Sequence, residues 1–344
     1  MLSNRNEIRQ IAVFRALQLG DILCSIPALR NLRLNFPAAH ISYIGLPGSK
    51  SLIERFSTYF DEFIPFPGYP GLPEQDFDEI EFKRFSEEIH HKYYDLILQM
   101  QGNGTIVNDM LAKLEPRNLA GFSIDEDELI SNPLMMRYPN FDHESSRHLK
   151  LISALGLKVA DTEMEYPLFD GDYKRFEARQ FPLREKYICI HPGSRAAWRQ
   201  WPSSYFAQIA DLCFAHGFQM VLTGTKEEAE LAFNVSCEMR QKPLNLTGKT
   251  DLGTLGVLLK NSSGLVANCT GISHIAAGLK VKSVIISMDG EPERWAPTDR
   301  SIHYTIDWTK SPNFETVKQA VIDHLLLAVP NQAHRLPLAD SDKG

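Results

Sequence analysis

The chain has 344 residues, of which 43% are hydrophobic, 23% charged and 10% aromatic. This composition is typical of a globular protein that is longer than one ordinary domain. Acidic residues outnumber Lys and Arg by 43 to 36, giving a formal charge of −7, which argues against nucleic acid as a partner. Five cysteines without a CxxC pair predict reduced thiols and no metal site. We find no signal-peptide pattern and no apolar run of ~18 residues, so we expect a cytoplasmic protein.

Apolar runs alternate with amphipathic stretches in the first half, which predicts a parallel α/β sheet. The predicted strands are Gln10–Phe14, Ile41–Gly45, Glu62–Phe66, Tyr94–Met100 and Asn118–Phe122. The predicted helices are 22–36, Phe82–His91, Ile106–Leu114 and His143–Leu155. The Pro- and Gly-rich segment Pro65–Gln75 predicts a loop at the rim of a cleft. Residues 123–142 show no periodicity, and 158–185 resembles an interdomain linker.

The same alternation restarts in the second half. The predicted strands are Tyr187–His191, Gln219–Thr223, Leu244–Leu246, Gly264–Ala267 and Ser283–Ser287. The predicted helices are Ser204–Ala215, Glu227–Arg240, Leu252–Lys260, Ile272–Leu279 and Phe314–Val329. We therefore predict α/β domains at 1–165 and 166–330 and a disordered tail at 331–344. Because ligands bind beyond the carboxyl ends of parallel strands, both sets of strand-to-helix loops should face a shared cleft.

The first such loop contains Gly20 and Asp21. A carboxylate at this edge of a sheet is well placed for chemistry, although Asp is also a common helix cap. In the second half, Ser194 and Arg199 lie in a loop suited to an anion, while exposed arginines are usually only solvated.

Two further loops of the second half have the same character. Glu227 and Glu228 follow a strand and a glycine, and they either bind a ribose or complement a helix dipole. The small polar loop Asn268–His274 begins a helix whose amides can face a diphosphate, and His274 is equally compatible with a buried structural role. The chain has no P-loop and no complete dinucleotide fingerprint, which disfavours ATP hydrolysis and NAD chemistry.

The order of these motifs resembles that of glycosyltransferase family 9, the bacterial ADP-heptose:lipopolysaccharide heptosyltransferases. The resemblance rests on IAVFRALQLGDILCSIPALRNLRLNFP, YDLILQMQGN, ICIHPGSRAAWRQWP, VLTGTKEEAELA, LNLTGKTDLGTLGVLLKNSSGLVANCTGISHIAAG and ERWAP, in the family's order from about residue 10 to 297. It implies a GT-B fold, in which two Rossmann-like domains face each other across a cleft. The N-terminal domain would bind the acceptor and the C-terminal domain the nucleotide-sugar donor.

The resemblance also implies roles for particular residues. Asp21 would be the general base of an inverting, metal-independent glycosyl transfer that needs no cofactor. The implied donor-binding residues are Ser194, Arg199, Glu227, Glu228, Thr270, Gly271, Ile272 and His274. Cys269 stands where the family usually has Asp, which bears on the identity of the donor sugar. Arg15 and Lys50 would meet the phosphorylated sugars of a lipopolysaccharide core acceptor.

The expected substrates are ADP-heptose and a lipopolysaccharide core glycolipid. We expect the enzyme to be a monomer that contacts the cytoplasmic face of the inner membrane peripherally. Four alternatives stay open at this point. The chain could use a different donor sugar or a capsular or protein acceptor, be a catalytically silent nucleotide-sugar-binding paralogue, or be a sugar-nucleotide epimerase with the same double α/β architecture.

Overall fold

A computed structural model of the protein describes residue 2 and residues 7–327. Within these residues the strands form two six-stranded sheets in which all neighbouring strands are parallel. The predicted α/β class is therefore confirmed. The predicted tail at 331–344 lies outside the described residues.

The first sheet has the strand order β3-β2-β1-β4-β5-β6. Its strands are β1 (Gln10–Phe14), β2 (His40–Gly45), β3 (Glu62–Pro65), β4 (Leu96–Gln99), β5 (Leu119–Ser123) and β6 (Met135–Arg137). Its helices are α1 (Leu19–Asn35), α2 (Lys50–Ile53), α3 (Glu79–His91), α4 (Val107–Ala112), α5 (Glu126–Ser131) and α6 (Glu144–Ala154). The chain order reverses between β1 and β4, which is where ligands bind in open parallel sheets.

The second sheet has the order β12-β11-β10-β7-β8-β9, with the reversal between β7 and β10. A helix, α7 (Asp170–Ala178), precedes it. Its strands are β7 (Tyr187–His191), β8 (Gln219–Leu222), β9 (Leu244–Asn245), β10 (Leu265–Asn268), β11 (Ser283–Ser287) and β12 (His303–Asp307). Its helices are α8 (Ser203–Ala215), α9 (Ala229–Glu238), α10 (Leu252–Lys260), α11 (Gly271–Leu279), α12 (Pro292–Trp295) and α13 (Phe314–Val321), which continues into a π-helical turn at Ile322–Leu326.

Helix α1 joins the two halves. It packs against α6 on its own side and against α11 of the second half, and for this reason its residues from Ile22 to Leu29 are all buried. One continuous apolar cluster includes side chains from both sheets, such as Val13 and Cys189. The start of α1 is thus held at the contact between the halves.

Six elements of the structure were not predicted. One is α7, which lies within the segment 158–185 that we expected to link the two halves, and its Asp172 forms a buried ion pair with Arg55 of the first half. The others are strands β6 and β12 and helices α2, α5 and α12. The division at residues 165 and 166 stays a prediction.

Candidate functional site

The loop from β1 to α1 separates two cavities. Leu17 and Asp21 line a cavity of about 320 Å³, which we call the Asp21 cavity. Gln18, between them, lines a cavity of about 660 Å³ together with Ser194 and Glu228 of the second half, which we call the Glu228 cavity. A single short segment of chain therefore borders both.

The Asp21 cavity is assembled from five separate parts of the chain. The loop after β4 contributes residues 101–107, and the Pro- and Gly-rich loop contributes Leu72 and Glu74. Tyr138 directly follows β6 and Glu144 is the first residue of α6, while Arg294 and Trp295 lie in α12 of the second half. Both halves of the molecule are thus needed to complete it.

Glu144 is the centre of a buried ionic cluster beside this cavity. Its carboxylate lies 3.1 Å from Arg15 Nη2, 2.5 Å from Arg147 Nη1 and 3.3 Å from Arg294 Nε. Burial alone would raise the pKa of Glu144, but His148 and the surrounding arginines outweigh burial and hold the pKa far below its usual range. Glu144 therefore stays ionised and links α6 to α12 of the other half.

The Asp21 carboxyl is half-buried in the wall of its cavity. Burial raises its pKa above the ordinary aspartate value, the charge of Arg15 opposes this, and the charge of Glu144 adds to it. Arg15 Nε also donates a 2.8 Å hydrogen bond to the backbone carbonyl of Asp21, which fixes the loop. Asp21 is thus a carboxylate held in place at a cavity wall, as a general base requires.

The two predicted acceptor-binding cations lie elsewhere. The Arg15 side chain is completely buried, with hydrogen bonds to Met100 and Glu144 as well as Asp21. This burial does not favour the predicted acceptor contact, because Arg15 is occupied in positioning the Asp21 loop. Lys50 is exposed, lies 3.8 Å from Glu54, and lines neither cavity.

In the Glu228 cavity the structure brings together three of the predicted donor-binding residues, Ser194, Glu227 and Glu228. Glu228 Oε2 accepts a 2.8 Å hydrogen bond from Thr225 N, as a helix-capping residue does. Its carboxyl also lies against Gly193, where a Cβ atom would approach within 2.2 Å. Glu227 projects at the surface beside it, so the two acids differ in how firmly they are held.

Arg199 lines neither cavity, although the next residue, Gln200, lines the Glu228 cavity. Its guanidinium stacks over Trp198 at 4.8 Å, and Nη2 lies 3.6 Å from Asp289. The buried Nε atom has no hydrogen-bond partner among the described residues. Arg199 therefore has donor capacity left for an anion.

The loop after β10 is organised by Asn268, a role that the sequence reasoning missed. Its side chain accepts a 3.0 Å hydrogen bond from Trp201 N and donates a 2.7 Å bond to Pro192 O. Asn268 thereby ties the end of β10 to both ends of the loop between β7 and α8. The signal available in the sequence was an asparagine directly after the predicted strand Gly264–Ala267, and the structure shows that its side chain is fully buried, where polar groups need hydrogen-bond partners.

The residues after Asn268 face the first half. Burial raises the pKa of the Cys269 thiol to about 12 and lowers that of His274 to about 4, so both are neutral near pH 7. The His274 ring lies 3.6 Å from Cys24 of α1 and lines neither cavity. Thr270, Gly271 and Ile272 form the start of α11 beside it.

The model of glycosyltransferase family 9 (heptosyltransferase) matches residues 82–322, which is most of the chain. The chain belongs to glycosyltransferase family 9. The resemblance read from the ordered motifs is confirmed, and the chain is a glycosyltransferase.

This family 9 enzyme is similar in sequence and in structure to other members of the family along most of its length. It is 23% identical over 295 residues to lipopolysaccharide heptosyltransferase 3 of Escherichia coli (strain K12), covering 82% of this chain and 83% of the relative. Among solved structures, a family 9 glycosyltransferase from Veillonella parvula matches with a TM-score of 0.77 at 18% identity, covering 92% of this chain and 97% of that one. ADP-heptose lipopolysaccharide heptosyltransferase II of E. coli matches with a TM-score of 0.72 at 18% identity, covering 93% and 99%. These similarities confirm the GT-B fold.

In this family 9 enzyme, none of the helices in the described part of the chain combines the length and apolar character needed to cross a membrane. All five cysteines are free thiols, and four of them are buried.

Proposed function

We propose that the enzyme transfers heptose from ADP-heptose to a hydroxyl group of a lipopolysaccharide core acceptor, with inversion at the anomeric carbon and without a bound metal ion. The carrying observation is that one short segment, residues 17–21 at the start of α1, borders both cavities and presents a carboxylate to one of them. A transferase needs this arrangement, because the acceptor hydroxyl and the donor anomeric carbon must meet beside a base. The names of the related heptosyltransferases support the choice of donor and acceptor.

In the proposed reaction the acceptor lies in the Asp21 cavity. Its hydroxyl oxygen attacks the anomeric carbon as the bond from that carbon to the diphosphate oxygen breaks. The Asp21 carboxylate takes the hydroxyl proton, and ADP leaves with the electron pair. Attack from the side opposite the diphosphate inverts the configuration.

Negative charge on the departing diphosphate needs stabilisation, which we assign to protein groups. Arg199 supplies a guanidinium with unused donor capacity, and the amides at the start of α11, Thr270 to Ile272, supply a helix N-terminus. Ser194 lies on the same side, and Glu227 and Glu228 accept hydrogen bonds from the ribose. His274, being neutral and buried, would shape the contact between the halves.

A different donor sugar is the second candidate, and Cys269 is the observation that favours it. A buried, neutral thiol is a poor hydrogen-bond acceptor, so it cannot hold sugar hydroxyls as the family's usual aspartate would. The remaining loop, Thr270 to His274, still follows the heptosyltransferase pattern, and we therefore retain ADP-heptose in the proposal.

The test is transfer by the purified full-length chain. ADP-heptose and a panel of other ADP- and UDP-sugars are supplied with lipopolysaccharide core acceptors, with and without EDTA. We expect turnover with ADP-heptose that EDTA leaves unchanged, and an inverted anomeric configuration by NMR. Preference for another donor would replace ADP-heptose in the proposal, and a strict metal requirement would contradict the assigned leaving-group chemistry. Absence of turnover with every pair would favour the silent paralogue.

We also propose that the reaction takes place in the cytoplasm, at the surface of the inner membrane where a core glycolipid would be presented. Sedimentation of the enzyme with vesicles containing the acceptor, but not with plain vesicles, is the expected result.

A further inference from the structure

The charges that line the Asp21 cavity are mostly negative. Asp21, Glu74 and Glu144 are acidic, and Arg294 is the one cation among the described lining residues. Arg294 is already paired, with Nε 3.3 Å from Glu144 and Nη1 3.6 Å from Glu291, and it stacks on Trp295 at 4.6 Å. The one lining cation of the described chain is therefore shared between two carboxylates of the protein.

The other arginines near Glu144 cannot contact a ligand in the cavity. Arg15 and Arg147 are fully buried and contact Glu144 from the protein side, and neither lines the cavity. Together with Arg294 they compensate the charge of Glu144, so the carboxylates left to face a ligand are those of Asp21 and Glu74. A phosphate or carboxylate entering the cavity would meet these two acidic side chains, which is unfavourable because like charges repel.

Glu74 points to what the cavity binds. It is half-buried in the wall, and its Oε2 atom is shielded from solvent with no hydrogen-bond partner among the described residues. A buried polar atom without a partner is unfavourable and uncommon in folded proteins. A ligand hydroxyl that donates to Oε2 would remove this deficit.

Asn103 supplies the complementary group from the opposite loop. Its Oδ1 accepts from both N and Oγ1 of Thr105, at 3.2 and 2.8 Å, and its amide nitrogen has no partner in the described chain. The turn that carries it needs Gly102 and Gly104, whose φ angles are +60° and +88°. At Gly104 a Cβ atom would come within 2.4 Å of Phe122 O, so the turn that carries Asn103 packs closely against β5.

We propose that the sugar residue carrying the attacking hydroxyl is uncharged, with neither phosphate nor carboxylate on that ring, and that Glu74 and Asn103 select it through its hydroxyl groups. This inference rests on the proposed function and makes it more specific. The carboxylate oxygen of Glu74 can accept a hydrogen bond from one sugar hydroxyl, and the amide nitrogen of Asn103 can donate a hydrogen bond to the oxygen of a neighbouring hydroxyl. It replaces the expectation that Arg15 and Lys50 meet a phosphorylated acceptor.

The test uses a matched set of acceptors with ADP-heptose as donor. One is a core oligosaccharide with a neutral accepting sugar, the second is the same compound phosphorylated on that sugar, and the third ends in an acidic sugar that bears a carboxylate. We expect kcat/KM for the neutral acceptor to exceed the other two by at least ~10-fold, as a site built around hydrogen bonds discriminates. A preference for either charged acceptor overturns the inference while supporting glycosyl transfer itself. Failure of ADP-heptose and of every other nucleotide sugar to react with any acceptor overturns the proposed function.

Variants at position 74 test the assigned residue. Glu74→Gln should raise KM for the neutral acceptor and reduce discrimination against the phosphorylated one, with kcat less affected. Glu74→Lys should reverse the preference between them. Glu87→Gln, on the exposed face of α3, is the matched control and should leave both values unchanged. Unchanged discrimination in Glu74→Gln overturns the role of Glu74.

A binding measurement keeps the inference testable if the position 74 variants fold poorly. Calorimetry with Asp21→Asn, which cannot turn over, should show binding of the neutral acceptor and ~10-fold weaker binding of its phosphorylated form. Equal or tighter binding of the phosphorylated compound overturns the inference.

Discussion

The two cavities beside residues 17–21 differ in how their charged side chains are held. Around the Asp21 cavity, Glu144 is fixed by Arg15, Arg147 and Arg294. Around the Glu228 cavity, Arg195 and Glu227 are exposed without an ion pair in the described chain. Arg199, next to the lining residue Gln200, retains an unpartnered Nε.

This difference indicates which interactions exist before substrates arrive. The groups that place the proposed base are already bonded to one another, so little ordering should remain when an acceptor binds. The groups assigned to the donor in our proposal are incompletely paired, so the nucleotide itself would complete them. Substitutions on the two sides should accordingly change different measurements.

The largest effect is expected from Asp21→Asn. This change keeps the shape of the side chain and removes the base, so turnover should fall by about 10²–10⁴-fold, while ADP affinity measured by calorimetry stays at the wild-type value. Asp127→Asn, on exposed helix α5, is the control. A near-normal rate in Asp21→Asn would make Asp21 only a helix cap.

Glu144→Gln should damage stability as well as activity. Removing one partner of a buried ion pair costs about 3–5 kcal/mol, which a urea titration would detect. Since the charge of Glu144 raises the pKa of Asp21, the acid limb of the remaining kcat/KM profile should move to lower pH. Glu126→Gln breaks an exposed pair with Arg137 and should alter neither. An unmoved acid limb would separate Glu144 from the base.

Acid should destabilise the protein before its carboxylates are protonated. Burial lowers the pKa of His148, His274 and His303 to about 4, whereas an unfolded histidine titrates near 6.5. The unfolded chain therefore binds more protons as pH falls from about 6.5 to 4, and the free energy of unfolding should decrease across that interval. His148→Gln should make the decrease shallower, and exposed His91→Gln should not. Stability that is constant down to pH 5 would contradict this expectation.

On the donor side, Arg199→Ala should weaken ADP binding by about 1.5–3 kcal/mol, the contribution of a charge-assisted hydrogen bond. Arg199→Lys should recover part of the loss if a point charge suffices. Exposed Arg179→Ala is a charge-matched control. Equal ADP affinity in wild type and Arg199→Ala would place this side chain outside the donor site.

The smallest effect is expected at position 269. If ADP-heptose is the donor, Cys269→Asp should leave heptose transfer unchanged or raise it, because the carboxylate restores a hydrogen-bond acceptor. Cys269→Ser controls for loss of the thiol. A fall in the natural activity with a gain in heptose transfer would favour a different natural donor, and identical donor preference would show that position 269 does not contact the sugar.

Sequence reasoning recovered the parts of the molecule that follow from local patterns. β1, β7, β11 and α10 were predicted with the bounds that the structure gives them, because continuous apolar runs identify buried parallel strands and regular apolar spacing identifies helices. β6 and β12 were missed. Their sequences are short or mixed, and they are strands because they extend the edges of existing sheets.

The candidate site was predictable only in part, for a related reason. Asp21, Ser194 and Glu228 follow strands, and a strand end marks the edge where ligands bind. Glu144 and Arg294 are 150 residues apart and meet through the packing of the two halves, which no local pattern encodes. Arg15 looked available for a ligand because its enclosure depends on that same packing.

Helices α1 and α11 meet where Leu19 lies against Gly271, and an added Cβ atom there would come within 2.2 Å of the leucine side chain. The close approach of the proposed base, Asp21, to the proposed donor loop therefore depends on the absence of a side chain at position 271. Gly271→Ala would add one methyl group at this contact and push the two halves apart. Each half should still fold and bind its own substrate, but the acceptor hydroxyl and the anomeric carbon of the donor would be held too far apart to react. Activity should therefore depend on the small size of residue 271 as well as on the charged side chains of the two cavities.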